Sequence, residues 1–100
     1  MKLEVLPEAL AELNESIAYY EGQRAGLGQQ FLEAVASVIE VAAERPHLGS
    51  ALPPPASGIR KFVVRRFPFV VLIAARGDVR KVVAITHAAR RPGHWLDRLR

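Results

Sequence analysis

The residues able to do chemistry in this chain are mostly cations, and they are crowded. The stretch Gly58-Ile-Arg-Lys-Phe-Val-Val-Arg-Arg-Phe-Pro-Phe69 sets Arg60, Lys61, Arg65 and Arg66 within one short segment, and Arg90 and Arg91 follow near the C-terminus. A guanidinium pairs bidentately with phosphate or carboxylate, so these groups suit a nucleic-acid phosphate or an acidic protein partner. Cutting RNA would also need a group to take the 2′-OH proton and an acid for the leaving 5′-oxygen. Histidine titrates in the range that such proton transfer requires. Of the three histidines, His87 is the one close in sequence to the cations on a regular element, although strand-end histidines are more often structural hydrogen-bond partners. His94 falls in a Pro-Gly turn, and His47 lies past a helix end, where it can cap carbonyls. No acid–base pair is evident.

The net charge of +4 conceals a strong asymmetry. Residues 1–50 carry three basic side chains against eight glutamates, whereas residues 51–100 carry eleven basic side chains against Asp78 and Asp97. An acidic helical side and a basic sheet side are expected. A solvated basic surface without a partner is the plainer reading of such a bias. Cysteine is absent, which excludes disulfides and thiolate metal sites. The histidines have no metal-ligand spacing, so no metal or cofactor is expected. The N-terminus opens without a long apolar run, and a cytoplasmic location with no signal peptide and no membrane contact is expected.

The chemistry-bearing residues must be positioned by a single small α+β domain, residues 1–100. Lys2 to Leu6 alternates as a short edge strand, closed by Pro7, which suits a first helical turn. Leu10, Leu13, Ile17 and Tyr20 recur at helical spacing from about Pro7 to Glu21. Tyr19 lies about 100° around the helix from Tyr20 and is left exposed as a contact residue. Gly22 and Arg24-Ala-Gly-Leu-Gly28 end this helix. A second helix follows to Glu44, with Phe31, Val35, Val38, Ile39 and Ala42 inward, and the short link makes an antiparallel hairpin. The helical glutamates are read as a solvated face. Gly26-Leu27-Gly28 resembles a phosphate-binding loop only superficially, because it lacks the strand and lysine.

Residues 47–57, with three consecutive prolines, form a connector. The basic strand runs from Gly58 to Pro68 with both faces mixed, leaving open which one packs on the helices. Phe69 to Ala75 is a central strand, Gly77-Asp78 a two-residue hairpin turn, and Val79 to His87 the returning strand. Trp95 either docks on the sheet or contacts a partner. The element order is β-α-α-β-β-β: an antiparallel sheet made of a three-stranded meander plus the N-terminal strand. A helical hairpin covers one face, and the other face is expected to be open and lined by arginines.

Four stretches carry a resemblance to the RelE/ParE superfamily of bacterial type II toxin–antitoxin systems. They are the helical end Tyr19-Tyr20-Glu21, the link Gly26-Leu27-Gly28 with Phe31-Leu32-Glu33-Ala34-Val35, the segment Gly58 to Phe69, and the tail His87-Ala-Ala-Arg-Arg-Pro-Gly-His-Trp95. The resemblance implies a plasmid-stabilising growth inhibitor neutralised by a cognate antitoxin with an acidic tail, in a hetero-oligomer. It puts the basic stretch in the middle of a concave sheet. RelE-like members cut mRNA on the ribosome, and ParE-like members inhibit DNA gyrase. For the first activity the residues would be Arg60, Arg65, His87 and Arg90. For docking of target or antitoxin they are Arg60, Lys61, Arg65, Arg66, Tyr19, Arg90, Arg91 and Trp95. The long helical hairpin with Tyr19-Tyr20 and the Arg90-Arg91-Pro92-Gly93 tail are closer to ParE, and RelE-like nucleases commonly have a tyrosine near the position of Trp95. A degenerate, non-toxic homologue is the third reading.

Overall fold

The computed structural model of the chain describes residues 2–90 and 93–99. Strand β1 (Lys2–Val5) leads into helix α1 (Pro7–Gln23), which starts with proline at its first position, and helix α2 (Leu27–Glu44) returns beside it. A 3-10 turn at Pro46–Leu48 and a two-residue strand β2 (Ser50–Ala51) precede β3 (Ile59–Val63), β4 (Phe69–Arg76) and β5 (Val79–His87). The tail ends in a second 3-10 turn, Leu96–Leu99.

The strands form one sheet in the order β1-β5-β4-β3-β2. The meander β3-β4-β5 is antiparallel as expected, but β1 lies parallel to β5, pairing Leu3 with Arg80 and Val5 with Val82. The sheet is therefore mixed. The α1–α2 hairpin and the meander together form the long crossover that a parallel pair requires. The short β2, opposite Arg60 and Lys61, adds a fifth strand within the connector. Consequently β3 sits next to an edge, not at the middle of the sheet.

The helix side carries the main core. Phe31, Val35 and Ala42 of α2 and Ala9 of α1 pack on Phe62, Val64, Phe69, Val71, Ile73, Val82 and Ile85. This resolves the mixed faces of β3, since Phe62 and Val64 point to the helices. Tyr20 meets Phe31, Phe67 and Phe69 in a cluster of edge-on and tilted rings with centroids 4.8–6.0 Å apart, a favoured aromatic geometry. Leu10, expected in the stripe, is 47% exposed. The inward arc of α1 instead runs through Ala9, Glu12, Leu13, Ile17 and Tyr20.

The opposite face is not open. It holds a second, smaller core in which Trp95 and Ala56 cover Ile59, Leu72, Ala74, Val83 and Ala84, with Leu52 and Leu96 alongside. A bulge between Leu72 and Ile73 in the β4–β5 ladder turns both Val83 and Ala84 to this side.

The hairpin link depends on glycine. Gly26 has φ 87°, the left-handed region, and a Cβ on Gly28 would lie 2.8 Å from the Ile17 carbonyl oxygen of the facing helix. The N–H groups of Gly26 and Gly28 at the start of α2 donate to the Glu21 carboxylate at 3.0–3.1 Å. The anion-binding start of a helix is thus filled from within the chain, and Glu21 is a cap, not a merely solvated glutamate.

Candidate functional site

The basic stretch does not form one cationic surface. Strand β3 ends at Val63, earlier than its sequence suggests, because Arg65 to Pro68 make a turn in which Arg66 takes φ 72°. The Val64 N–H donates to the Phe69 carbonyl and the Phe69 N–H to that of Phe67, closing the turn. Arg65 and Arg66 therefore stand exposed at a hairpin tip. Arg60, on the helix-facing side of β3, is half-buried and donates from Nη1 to the Gly49 carbonyl at 2.8 Å, bracing the connector. Lys61 is exposed on the opposite side.

Arg65 and Arg66 line a groove between α2 and β3. Its helix wall is Ala34, Ser37, Val38 and Val41, its strand wall Phe62 to Val64, and Leu48 closes one end. Arg24 shares the rim with the two hairpin arginines, together with Glu33. Val41, Leu48 and Val63 are 45%, 57% and 67% exposed and all three line the groove. Strand β2 pairs with β3 only at Arg60 and Lys61. Residues 59, 61 and 63 direct their backbone groups to the β2 side, because the Leu52 N–H bonds the Ile59 carbonyl there while the Val64 N–H bonds β4. Val63 lies beyond the last β2 partner, so its backbone faces the groove as an available strand edge.

The other candidates lie elsewhere. Tyr19 is 62% exposed on α1, its ring edge-on to Tyr20 at 5.3 Å. Burial, with Tyr19 beside it, raises the Tyr20 hydroxyl above its ordinary value. His87 ends β5 with its ring 5.5 Å from Phe69, and its Nδ1 accepts the Ala89 N–H at 3.0 Å. In the neutral ring this bond assigns the proton to Nε2, so using Nε2 as a base would break it. Arg90 stands 3.7 Å from Glu12. Trp95 is 6% exposed and belongs to the second core. Arg91, and with it part of the Arg-Pro-Gly turn, falls outside the described residues. Arg60, His87 and Arg90 are thus held by three different partners. Among the described residues, no group of three or more His, Cys, Asp or Glu side chains could hold a metal ion, and no helix is long and apolar enough to cross a membrane.

One cluster escaped the sequence reading. Glu12, on the inward face of α1, accepts from Arg98 at both oxygens, at 2.8 and 3.0 Å, and from the Ile85 N–H at 3.1 Å, with His94 Nε2 at 3.4 Å. Burial would raise this carboxyl, but the Arg98 hydrogen bonds, the Ile85 N–H, the Arg98 charge and His94 together hold it below its ordinary value. The hydrogen bonds to Glu12, opposed by burial and aided by the charges of Glu12 and Glu8, push Arg98 up. The signal was present in the spacing, for Glu12 lies between Ala9 and Leu13 on the inward arc.

The family model for the ParE toxin of type II toxin-antitoxin system, parDE, matches residues 3–92. The chain belongs to the ParE toxin family. Among solved structures, the chromosomal ParDE TA system from P. aeruginosa superimposes with a TM-score of 0.75 over 87% of this chain and 95% of that chain, at 17% identity. At that identity the likeness speaks for a ParE-like fold. No functionally curated protein matches the sequence.

Proposed function

We propose that this ParE-family chain is a growth-inhibiting toxin that acts on DNA gyrase in the cytoplasm and is neutralised by a cognate antitoxin. The antitoxin would lay an acidic, amphipathic segment into the α2–β3 groove. The observation that carries the reading is the composition of that groove. It combines exposed apolar side chains at Val41 and Leu48, a rim of Arg24, Arg65 and Arg66 with Glu33, and a strand edge at Val63 beyond the last β2 partner. An amphipathic segment buries its apolar side chains against such walls, its carboxylates meet the guanidinium groups, and an extended portion can pair with the edge.

Gyrase is favoured over ribosome-dependent mRNA cleavage because the residues for proton transfer are otherwise engaged. His87 holds Ala89, Arg90 stands beside Glu12, and the side chain at position 95 is a buried tryptophan with no hydroxyl. Such an arrangement supports binding without bond cleavage. Inducing the chain alone and scoring growth, transcript integrity and DNA breaks together tests the reading. DNA breaks with intact transcripts support it, cleaved transcripts favour the nuclease, and normal growth means a degenerate homologue.

A further inference from the structure

Among the described residues, the half of β5 nearest its C-terminus has no strand beside it on the β1 side. Strand β1 ends at Val5, opposite Val82, and the last backbone bond along that edge is from the Leu6 N–H to the Val82 carbonyl at 3.0 Å. In a parallel ladder, one residue of the neighbouring strand donates to the carbonyl before a given residue and accepts from the N–H after it. For Ala84 these two groups are the Val83 carbonyl and the Ile85 N–H. The first accepts from Arg98 Nη1 at 3.0 Å, and the second donates to Glu12 Oε1 at 3.1 Å. The Arg98–Glu12 pair therefore supplies what a sixth strand would have supplied.

Arg98 reaches this position from a short segment that hinges at Gly93, whose φ is 83°. Among the described residues, the backbone bonds of that segment are local, from the Leu96 N–H to the Gly93 carbonyl and from the Arg98 N–H to the Trp95 carbonyl. It is anchored by Trp95 against a cluster containing Ala56, Ala74 and Ala84, and by the Glu12–Arg98 pair. Thr86, on the same face of β5 as Ala84, has a buried hydroxyl without a hydrogen-bond partner among the described residues.

We propose that residues 93–99 are a strap that substitutes for a strand on the β5 edge and opens as a unit about Gly93 while the rest of the sheet stays folded. Opening lifts Trp95 from its seat, separates Arg98 from Glu12, and bares the Val83 carbonyl and Ile85 N–H as a strand edge. Such a segment, held by side chains and with no ladder of its own, belongs to the low-stability end of a fold. Trp95 of the strap packs on the sheet face opposite the helices, in a cluster that includes Ile59 of β3 and Ala56, whereas the groove lies on the helix side between α2 and β3.

Native-state hydrogen exchange on the full chain, at increasing but sub-denaturing urea, tests this directly. The amides of Ile85, Leu96 and Arg98 should share one protection factor and one urea slope, shallower than that of Val71, which pairs with Phe62 in mid-sheet, and their protection should lie at least tenfold below that of Val71. The Glu12→Gln variant should lower all three together by a further tenfold or more and leave the ratio of Val71 to Val82 unchanged. Two results overturn the proposal. One is Ile85 exchanging with the rate and urea dependence of Val71. The other is Ile85 opening while Leu96 and Arg98 stay protected, which means edge fraying without a strap. The wild-type measurement decides between them even if the variant does not fold.

Discussion

Glu12 and Arg98 stand 86 residues apart in sequence and share two hydrogen bonds, at 2.8 and 3.0 Å, with both side chains largely buried. The pair joins the first helix to the last turn and closes the β5 edge between them. A buried pair of this kind is weak evidence for stability over an apolar substitute, but removing one partner strands the other charge. Glu12→Ala should cost about 3–5 kcal/mol, read as a lower urea midpoint. A double variant Glu12→Leu/Arg98→Met should recover only part of that loss, because it leaves no stranded charge but takes away the partners of the Val83 carbonyl and the Ile85 N–H.

The same carboxyl makes stability depend on acid. Glu12 is held below its ordinary 4.5, so its contribution is fully present above that value and is lost as pH falls through the lower folded-state value. The groups facing it are the guanidinium groups of Arg98 and Arg90 and the His94 ring, with Glu8 acting on Arg98. Thermal melts below pH 4.5 should show the wild-type melting temperature declining more steeply than that of Glu12→Gln, which has no carboxyl to protonate at this site. Parallel slopes would contradict the account.

The helical hairpin should fail at its link. Gly28→Ala puts a methyl 2.8 Å from a backbone oxygen of the facing helix and should cost about 1–3 kcal/mol. Glu21→Ala removes the acceptor for the Gly26 and Gly28 N–H groups and should cost about 0.5–2 kcal/mol, as other lost caps do. Both are measurable by chemical denaturation.

Arg66 offers a variant that separates binding from folding. Its φ of 72° strains a residue with a side chain. Arg66→Gly should therefore leave stability unchanged or raise it by up to about 1 kcal/mol, while weakening the complex with the antitoxin. The salt dependence of that complex should also become shallower, since one guanidinium is lost from the rim. A complex indifferent to salt in both proteins would mean that apolar contacts dominate the groove.

His87 tests the chemistry. If gyrase is the target, His87→Gln leaves growth arrest intact, because the ring serves to hold Ala89 and Phe69. Loss of transcript cleavage in the variant would instead support the nuclease.

The helices, the meander and the Gly77-Asp78 turn were legible because each rests on local period and turn chemistry. The direction of β1 was not, for nothing within Lys2 to Leu6 records which neighbour it meets. The charges misled in two ways. Arg60, Arg65 and Arg66 are close in sequence, yet a hairpin turn and a connector send them to different tasks. Glu12 has the residue type of a wet face, but its partner Arg98 comes from the far end of the chain. Trp95 docks on the sheet, the alternative that left no open arginine face. The groove was not foreseen, because it takes one wall from α2 and the other from β3.

A supercoiling assay with purified gyrase and the purified chain tests the central claim most directly. The account predicts that the chain alone inhibits supercoiling and causes DNA breaks, and that adding the antitoxin restores activity. Supercoiling unchanged at micromolar excess of folded protein would contradict it.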